Sequence, residues 1–250
     1  MTATGAADAW IRRFHPKPDG RDLLACFPHA GGSASYYFPM SAALPDRTDM
    51  LAVQYPGRQE RRAEPLIGSV DELADRATES LLPLRGAALS LFGHSLGASV
   101  AFEVARRLEQ RGVRVRALFV SGRRPPSLHR PDNAHQADDR ALVADLLADG
   151  GIPDAAALDP EIVQLVLPVV RNDLRAAATY TYRGSGNDLT CPVVALTGDR
   201  DPKVTVAEAR GWASHTTGPF SLRVFPGGHF YLLEHWQAVV RAISDELGDR

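Results

Sequence analysis

The sequence predicts an α/β fold: a mostly parallel central sheet with helices on both faces and a helical lid inserted after one strand. Two observations lead to this prediction. Short apolar runs with the length of strands recur along the chain, and helical patterns of apolar residues separate them. Strands that alternate with helices form βαβ units, whose parallel sheet is covered on both sides.

The predicted strands are short apolar segments at Leu23–Phe27, Met50–Gln54, Ala88–Phe92, Ala117–Ser121, Val193–Thr197 and Leu222–Phe225. Helical patterns occupy Val70–Leu84, Leu96 to Gly112, a segment before Trp212 and the stretch from about Tyr231 to Leu247. Ser69 and Thr205 each precede a helical pattern and are followed three residues later by glutamate, which is the spacing of a capping box. We therefore expect a helix to begin after each of them.

The region of residues 123–183 lacks a strand candidate and contains two helical patterns, Asp138–Ala148 and Pro160–Tyr182. Pro168 lies inside the second pattern, which is therefore predicted to be kinked or split. Neither pattern has enough apolar surface to fold alone, so we expect a single domain over residues 1–250. We interpret the insertion as a lid over the carboxyl edge of the sheet, where such folds bind their ligands.

Composition restricts the class of partner. The 250 residues include 44% hydrophobic and 23% charged residues, and their formal net charge is −2. This near-neutral charge does not indicate binding to nucleic acid or to a membrane surface. No apolar run approaches the ~20 residues that span a bilayer, and the first residues lack a secretion signal. Cys26 and Cys191 are expected to be separate thiols. The sequence thus favours a cytoplasmic protein. It does not determine the oligomeric state, for which a monomer is the favoured expectation.

A serine between two glycines joins one predicted strand directly to the next helix. Gly93, Ser95 and Gly97 form the pattern G-x-S-x-G, preceded by the strand that ends at Phe92 and followed by the helix that begins at Leu96. Such a turn exposes the serine hydroxyl above the sheet, and the flanking glycines let the backbone approach closely. This context predicts that Ser95 is a nucleophile rather than part of a purely structural turn.

A serine nucleophile needs a base and a group that orients the base, and in this arrangement they follow in the order acid, then histidine. After one strand the chain offers Asp199 and Asp201, and after the next it offers His229 in a glycine-rich loop. All these candidates follow carboxyl ends of strands, so their side chains can converge on Ser95. His94, His215 and His235 are expected to have packing roles.

Acyl transfer also needs two N–H donors aimed at the developing oxyanion. One is expected from Leu96, the residue after the nucleophile, and the other from the loop after an early strand. The strand Leu23–Phe27 is followed by Pro-His-Ala-Gly-Gly, whose glycines permit a close backbone path. The sequence therefore predicts the N–H groups of Ala30 and Leu96 as the oxyanion hole.

These segments together resemble a known family. FPHAGGSASYY, VQYPGRQERR, LFGHSLGA, SGRRPP, TGDRDPKVT and FPGGHFYL, between about residues 21 and 235, are similar to the successive motifs of type II thioesterases. These are the stand-alone editing enzymes of polyketide and nonribosomal peptide synthetases. The resemblance implies the α/β-hydrolase fold with a helical lid. It also implies that the triad is Ser95, Asp201 and His229, with Asp199 holding the loop.

The resemblance further implies hydrolysis of acyl thioesters on the phosphopantetheine arm of acyl or peptidyl carrier proteins, without a metal or a bound cofactor. A carboxylesterase or lipase using the same triad is the alternative, and a non-catalytic binding protein of this fold is a second one. Arginines after two strands form clusters that are candidates for contact with an acidic carrier protein or with the phosphate of the arm: Arg58, Arg61, Arg62, Arg123 and Arg124. Ion pairs with Glu60 and Glu64 are the competing interpretation.

Overall fold

The computed structural model describes residues 9–128, 130, 132–150 and 160–248. Within them the chain forms a sheet of seven strands in the order β1-β3-β2-β4-β5-β6-β7, parallel throughout except where β1 pairs antiparallel with β3. The strands are β1 Ile11–Arg12, β2 Asp22–Phe27, β3 Thr48–Val53, β4 Ala88–His94, β5 Val115–Ser121, β6 Val193–Gly198 and β7 Phe220–Phe225.

The helices follow the strands and cover both faces of the sheet. They are α1 Phe38–Ala43, α2 Val70–Leu81, α3 Leu96–Gln110, α4 Asp139–Ala148, α5 Pro160–Thr179, α6 Val206–Arg210 and α7 Leu232–Glu246. Alternate residues of a strand point to opposite faces, so Leu23 and Ala25 of β2 pack with α2 and α3, while Leu24 and Cys26 pack with α1 and α7. The result is a sheet buried between two apolar cores, and the predicted fold class is confirmed.

Most predicted elements are found, with differences at a few ends. The edge strand β1 was not predicted because its two residues carry no apolar run. The helix predicted over Val70–Leu84 ends at Leu81 and continues as a 3₁₀ turn. Thr205 forms the full capping box with Glu208, whereas Ser69 only accepts from the Glu72 amide. Cys26 and Cys191 are free, buried thiols, as predicted.

The lid prediction is partly revised. Helix α5 runs without a break through Pro168 from Pro160 to Thr179. Of the two predicted outcomes, kinked or split, the split is therefore wrong, and the kink stays a prediction. Residues 129, 131 and 151–159 of the predicted insertion lie outside the described residues. The two lid helices share a small apolar cluster built on Leu142, Leu167 and Val170. No helix among the described residues has the length and the apolar character needed to cross a membrane.

Unequal hydrogen exchange is expected along the chain. Helix α4 buries only Leu142, so its amides should exchange faster than those of β4, which is central in the sheet. The second half of α5 should exchange more slowly than α4, because Val170, Asp173 and Ala176 are buried there. Peptide-resolved exchange measures this directly. We expect the lid to gate access to the site, and equal protection of α4 and β4 would show that it is instead a fixed part of the core.

Candidate active site

Ser95 lies on a strained turn between β4 and α3. Its φ of 55° and ψ of −118° lie outside the helical and strand regions, a conformation that costs energy for any residue with a side chain. A Cβ on Gly93 would collide with the backbone oxygen of Gly97, and a Cβ on Gly97 would collide with the backbone oxygen of Phe27. The two glycines are therefore required by close backbone packing around the serine.

The three predicted triad residues meet at the carboxyl edge of the sheet. His229 Nε2 lies 3.0 Å from Ser95 Oγ, and His229 Nδ1 lies 2.9 and 3.1 Å from the two carboxylate oxygens of Asp201. His229 and Asp201 are buried. An ionised carboxylate can only accept, so Nδ1 carries the proton and donates to Asp201. In the neutral imidazole, the Nε2 lone pair therefore faces the Ser95 hydroxyl.

The other acid, Asp199, has a different position. Its Oδ1 accepts the N–H of Gly227 at 2.8 Å, and its own N–H donates to the Phe225 carbonyl. These bonds connect the end of β6 to the glycine-rich loop that carries His229. The geometry thus agrees with the roles that the resemblance implied for the two acids: Asp201 pairs with the histidine, and Asp199 holds the loop.

Two further histidines line the site and are neutral. Burial, with smaller effects from His229 and Arg58, lowers the pKa of His29 to about 3. Burial, together with His229 and His29, holds the pKa of His94 well below its usual value. The ring of His94 lies 5.0 Å from that of His229 and packs against Phe230, which agrees with the packing role predicted for His94.

A buried hydrogen-bond chain behind the triad was not predicted. Ser121, the last residue of β5, accepts the Ser95 N–H on its backbone oxygen at 2.8 Å. Its hydroxyl lies 3.0 Å from His94 Nδ1 and 2.7 Å from the Tyr231 hydroxyl. Gly122 follows with a φ of 58°, and a Cβ there would come within 2.7 Å of His94. A polar residue ending an apolar strand was the only available signal in the sequence.

The predicted oxyanion donors lie on segments that touch. The N–H of Leu96 belongs to the first turn of α3, where amides have no acceptor within the helix. The next residue, Gly97, packs directly on the Phe27 and Pro28 backbone, two residues before Ala30. The neighbouring Gly31 N–H donates to the Asp173 carboxylate of α5 at 2.9 Å. The loop of Ala30 is therefore held between the nucleophile turn and the lid.

The docking prediction is corrected for Arg58 and Arg61, because both side chains are buried and paired within the chain. Arg58 donates to both carboxylate oxygens of Asp173, at 2.7 and 3.1 Å, and to the Gly32 carbonyl. Arg61 donates to Glu64 and to the Gln54 carbonyl, and its guanidinium stacks on Trp10. Neither guanidinium is available to a partner, and the competing interpretation of internal ion pairs applies to Arg61.

The other candidate arginines differ among themselves. Arg123 and Arg124 are half-buried and donate to backbone carbonyls of Ala177 in α5, of Lys203 and of Arg130. Burial lowers the pKa of Arg123 to about 10, with a smaller effect from Arg124. These contacts favour a role in holding the lid. Arg62 is exposed, and its side chain has no ion-pair partner in the part of the chain that the structure describes.

The other two histidines predicted to have packing roles, His215 and His235, lie in helical segments. His215 is fully buried at the end of a 3₁₀ helix, and His235 lies within α7 at a residue with non-helical backbone angles. Across residues 9–128, 130, 132–150 and 160–248, no group of three or more His, Cys, Asp or Glu side chains is placed to hold a metal ion.

The fold and the site together are those of an α/β-hydrolase with a serine, a histidine and an aspartate in hydrogen-bonded sequence at the carboxyl edge of its sheet. A family model described as the thioesterase domain matches residues 23–247. The chain therefore belongs to the thioesterase family, and the predicted enzyme class is confirmed.

Individual relatives agree with this assignment. Thioesterase PikA5 of Streptomyces venezuelae is 53% identical over 240 residues, which cover 95% of this chain and 85% of that protein. A probable cadicidin biosynthesis thioesterase of Streptomyces griseus is 47% identical over 246 residues, covering 98% and 68%. The structure of the type II thioesterase BorB from the borrelidin biosynthetic cluster superposes with a TM-score of 0.89 at 49% identity, over 96% of this chain and 98% of that one.

Proposed function

We propose that this thioesterase hydrolyses acyl thioesters on the phosphopantetheine arm of carrier proteins in polyketide or nonribosomal peptide biosynthesis. The similarity to BorB, from the borrelidin cluster, and to RedJ, from the prodiginine pathway of Streptomyces coelicolor, supports the substrate class. RedJ is 35% identical, with a TM-score of 0.86, over 91% of this chain and 86% of that one. The hydrogen-bonded sequence Ser95–His229–Asp201 is the observation that carries the chemistry.

In the first half of the proposed reaction, His229 Nε2 removes the proton of Ser95 as the serine oxygen attacks the thioester carbonyl. Asp201 keeps the imidazole in the required tautomer and stabilises the imidazolium that forms. The carbonyl oxygen becomes an oxyanion, which the N–H groups of Ala30 and Leu96 stabilise. The C–S bond then breaks, and the thiol leaves with the proton from His229.

The second half returns the enzyme to its starting state. A water molecule donates its proton to His229 as it attacks the acyl-serine carbonyl, and the same N–H donors stabilise the second oxyanion. The ester bond breaks, Ser95 recovers its proton from His229, and the free acid leaves. All proton transfers run through one imidazole, so the proposed cycle needs no metal and no bound cofactor.

Mass spectrometry of a panel of acyl-carrier proteins, before and after exposure to the enzyme, tests this function. We expect loss of the acyl mass from at least one carrier, and no loss with the Ser95→Ala enzyme. A soluble oxygen ester is assayed in parallel. Faster turnover of the oxygen ester with every carrier left intact would favour the carboxylesterase alternative, and loss of neither substrate would favour a binding protein.

Arg62 is the candidate for carrier contact that remains exposed. It lines a surface groove together with Gly31 of the oxyanion loop and Leu165 of the lid helix. Arg62→Glu is expected to raise KM for an acyl-carrier protein several-fold at low salt, with less effect at high salt, because carriers are acidic. Hydrolysis of a small thioester without phosphate or carrier should hardly change.

The matched control for this prediction is Arg76→Glu, which reverses another exposed charge, on helix α2. It should leave KM for the carrier unchanged. If Arg62→Glu and Arg76→Glu give the same KM, Arg62 makes no contact with the carrier. Equal losses on the carrier and on the small thioester would instead assign Arg62 to the integrity of the groove.

A further inference from the structure

A second serine–histidine–aspartate arrangement lies outside the active site. His215 Nδ1 lies 2.9 Å from Asp188 Oδ2, and His215 Nε2 lies 2.8 Å from Ser127 Oγ. The corresponding distances in the main site are similar: His229 Nδ1 lies 2.9 Å from Asp201 Oδ2, and His229 Nε2 lies 3.0 Å from Ser95 Oγ. The three residues come from the turn after β5, the segment before β6 and the 3₁₀ helix before β7, so the tertiary fold brings them together.

The hydrogen-bond partners fix the direction of each bond. Asp188 also accepts the Tyr182 hydroxyl and lies 3.6 Å from the guanidinium of Arg106. An ionised carboxylate only accepts, so His215 donates its Nδ1 proton to Asp188, and in the neutral imidazole the Nε2 lone pair then faces Ser127. The Ser127 hydroxyl therefore donates to a base, as the hydroxyl of a serine nucleophile does when an adjacent general base activates it.

The base and the nucleophile of this arrangement differ in solvent exposure. The side chains of His215 and Asp188 are 0% and 5% exposed, and the rings of Phe102 and Trp212 pack around the imidazole at 5.5 and 5.8 Å. Ser127, by contrast, is an exposed residue. A rigid, oriented base is thus hydrogen-bonded to a hydroxyl that a reagent in solution can reach.

We propose that Ser127 is a second nucleophilic serine and a site of covalent modification by acyl and phosphonyl electrophiles. With a thioester, the Oγ–C bond forms, the C–S bond breaks, and the serine proton passes through His215 to the leaving thiol. With a fluorophosphonate, the Oγ–P bond forms, the P–F bond breaks, and fluoride leaves while the proton passes through His215 to solvent. Neither reaction requires a co-reactant.

One difference from Ser95 sets the expected rate. The N–H of Leu128, the residue after Ser127, donates to the Pro125 carbonyl, whereas the N–H of Leu96 lies in a free helix turn. Ser127 therefore lacks the oxyanion donor that follows a nucleophile in the main site. Loss of one such donor slows reaction by about 10²–10³-fold. Adducts on Ser127 should therefore form more slowly than those on Ser95 by at least that factor.

A fluorophosphonate probe on the full-length Ser95→Ala enzyme tests the proposal, because the main nucleophile is then absent. Intact-mass and peptide mass spectrometry should show a slow single adduct that maps to Ser127. It should be absent from Ser95→Ala/Ser127→Ala and reduced at least tenfold in Ser95→Ala/Asp188→Asn, where the imidazole loses its orientation. Asp188→Asn is preferred to a change at the fully buried His215, and circular dichroism checks its fold.

Ser214 serves as an internal control, since it is exposed and its hydroxyl donates to the Gly211 carbonyl. It should stay unlabelled in the same spectra. The proposal is overturned if Ser127 stays unlabelled under prolonged exposure, or if Asp188→Asn leaves its labelling rate unchanged, in which case the three residues only tie the start of the lid to the core. The probe contains no thioester, so this result is independent of the proposed thioesterase substrate.

Discussion

Replacing Asp201 with asparagine is expected to lower kcat for thioester hydrolysis about 10⁴-fold, through the tautomer of His229. Asp201 Oδ1 accepts the N–H of Lys203 at 2.8 Å, so the amide oxygen of asparagine should occupy that position. The amide NH₂ then faces His229 Nδ1, which must become an acceptor. The proton moves to Nε2, which can no longer remove the proton of Ser95. Steady-state kinetics on an acyl-carrier protein measure the loss.

Asp199→Asn is the matched control, two residues away on the same loop. An asparagine oxygen can still accept the Gly227 N–H, and the Asp199 side chain is half exposed. We expect a change in kcat of less than about tenfold, because a neutral acceptor replaces a charged one at an exposed site. A crippled Asp199→Asn enzyme with a nearly normal Asp201→Asn enzyme would reverse the assignment of the catalytic acid.

The inner strands β2 to β6 could be predicted from the sequence because they are buried on both faces. Such strands are continuous apolar runs, and each predicted run overlaps an observed strand. The strand β1 could not be predicted in this way, since an edge pair of two residues has no periodicity. The helix α5 continues through Pro168 without the split that was one of the two predicted outcomes. Pro168 and Gln164, whose carbonyl loses its donor, are exposed, so water can replace the missing bond.

The triad could be predicted because each member directly follows a strand. Parallel strands end at one edge of the sheet, so Ser95, Asp201 and His229 had to be close together in any correct version of this fold. The arginines follow strands too, but a sequence shows charge and not burial. Arg58 looks like Arg62 in the sequence, although its partner Asp173 lies 115 positions away in the lid.

Asp173→Asn is the substitution with the largest expected effect on stability, because Asp173 is the buried ion-pair partner of Arg58. Asp173 is fully buried and binds the Arg58 guanidinium and the Gly31 amide. Asparagine removes the charge that compensates a buried guanidinium, and the loss of one partner of such a pair costs about 3–5 kcal/mol. The free energy of unfolding, from urea titration, should fall by that amount. Asp139→Asn in α4 breaks an exposed pair with Arg171 and should cost less than about 1 kcal/mol.

The double variant Arg58→Leu/Asp173→Leu separates the two roles of this pair. Apolar side chains of similar volume often replace a buried ion pair without loss of stability, so much of the unfolding free energy should return. The Gly31 N–H would still lack its acceptor, and the loop that carries the Ala30 donor would be less well held. We therefore expect the double variant to recover stability while its kcat stays below that of the unsubstituted enzyme. If the double variant recovers both stability and kcat, Asp173 stabilises the lid without positioning the oxyanion loop. If Asp173→Asn loses neither stability nor kcat, the lid and the site are not coupled through this residue.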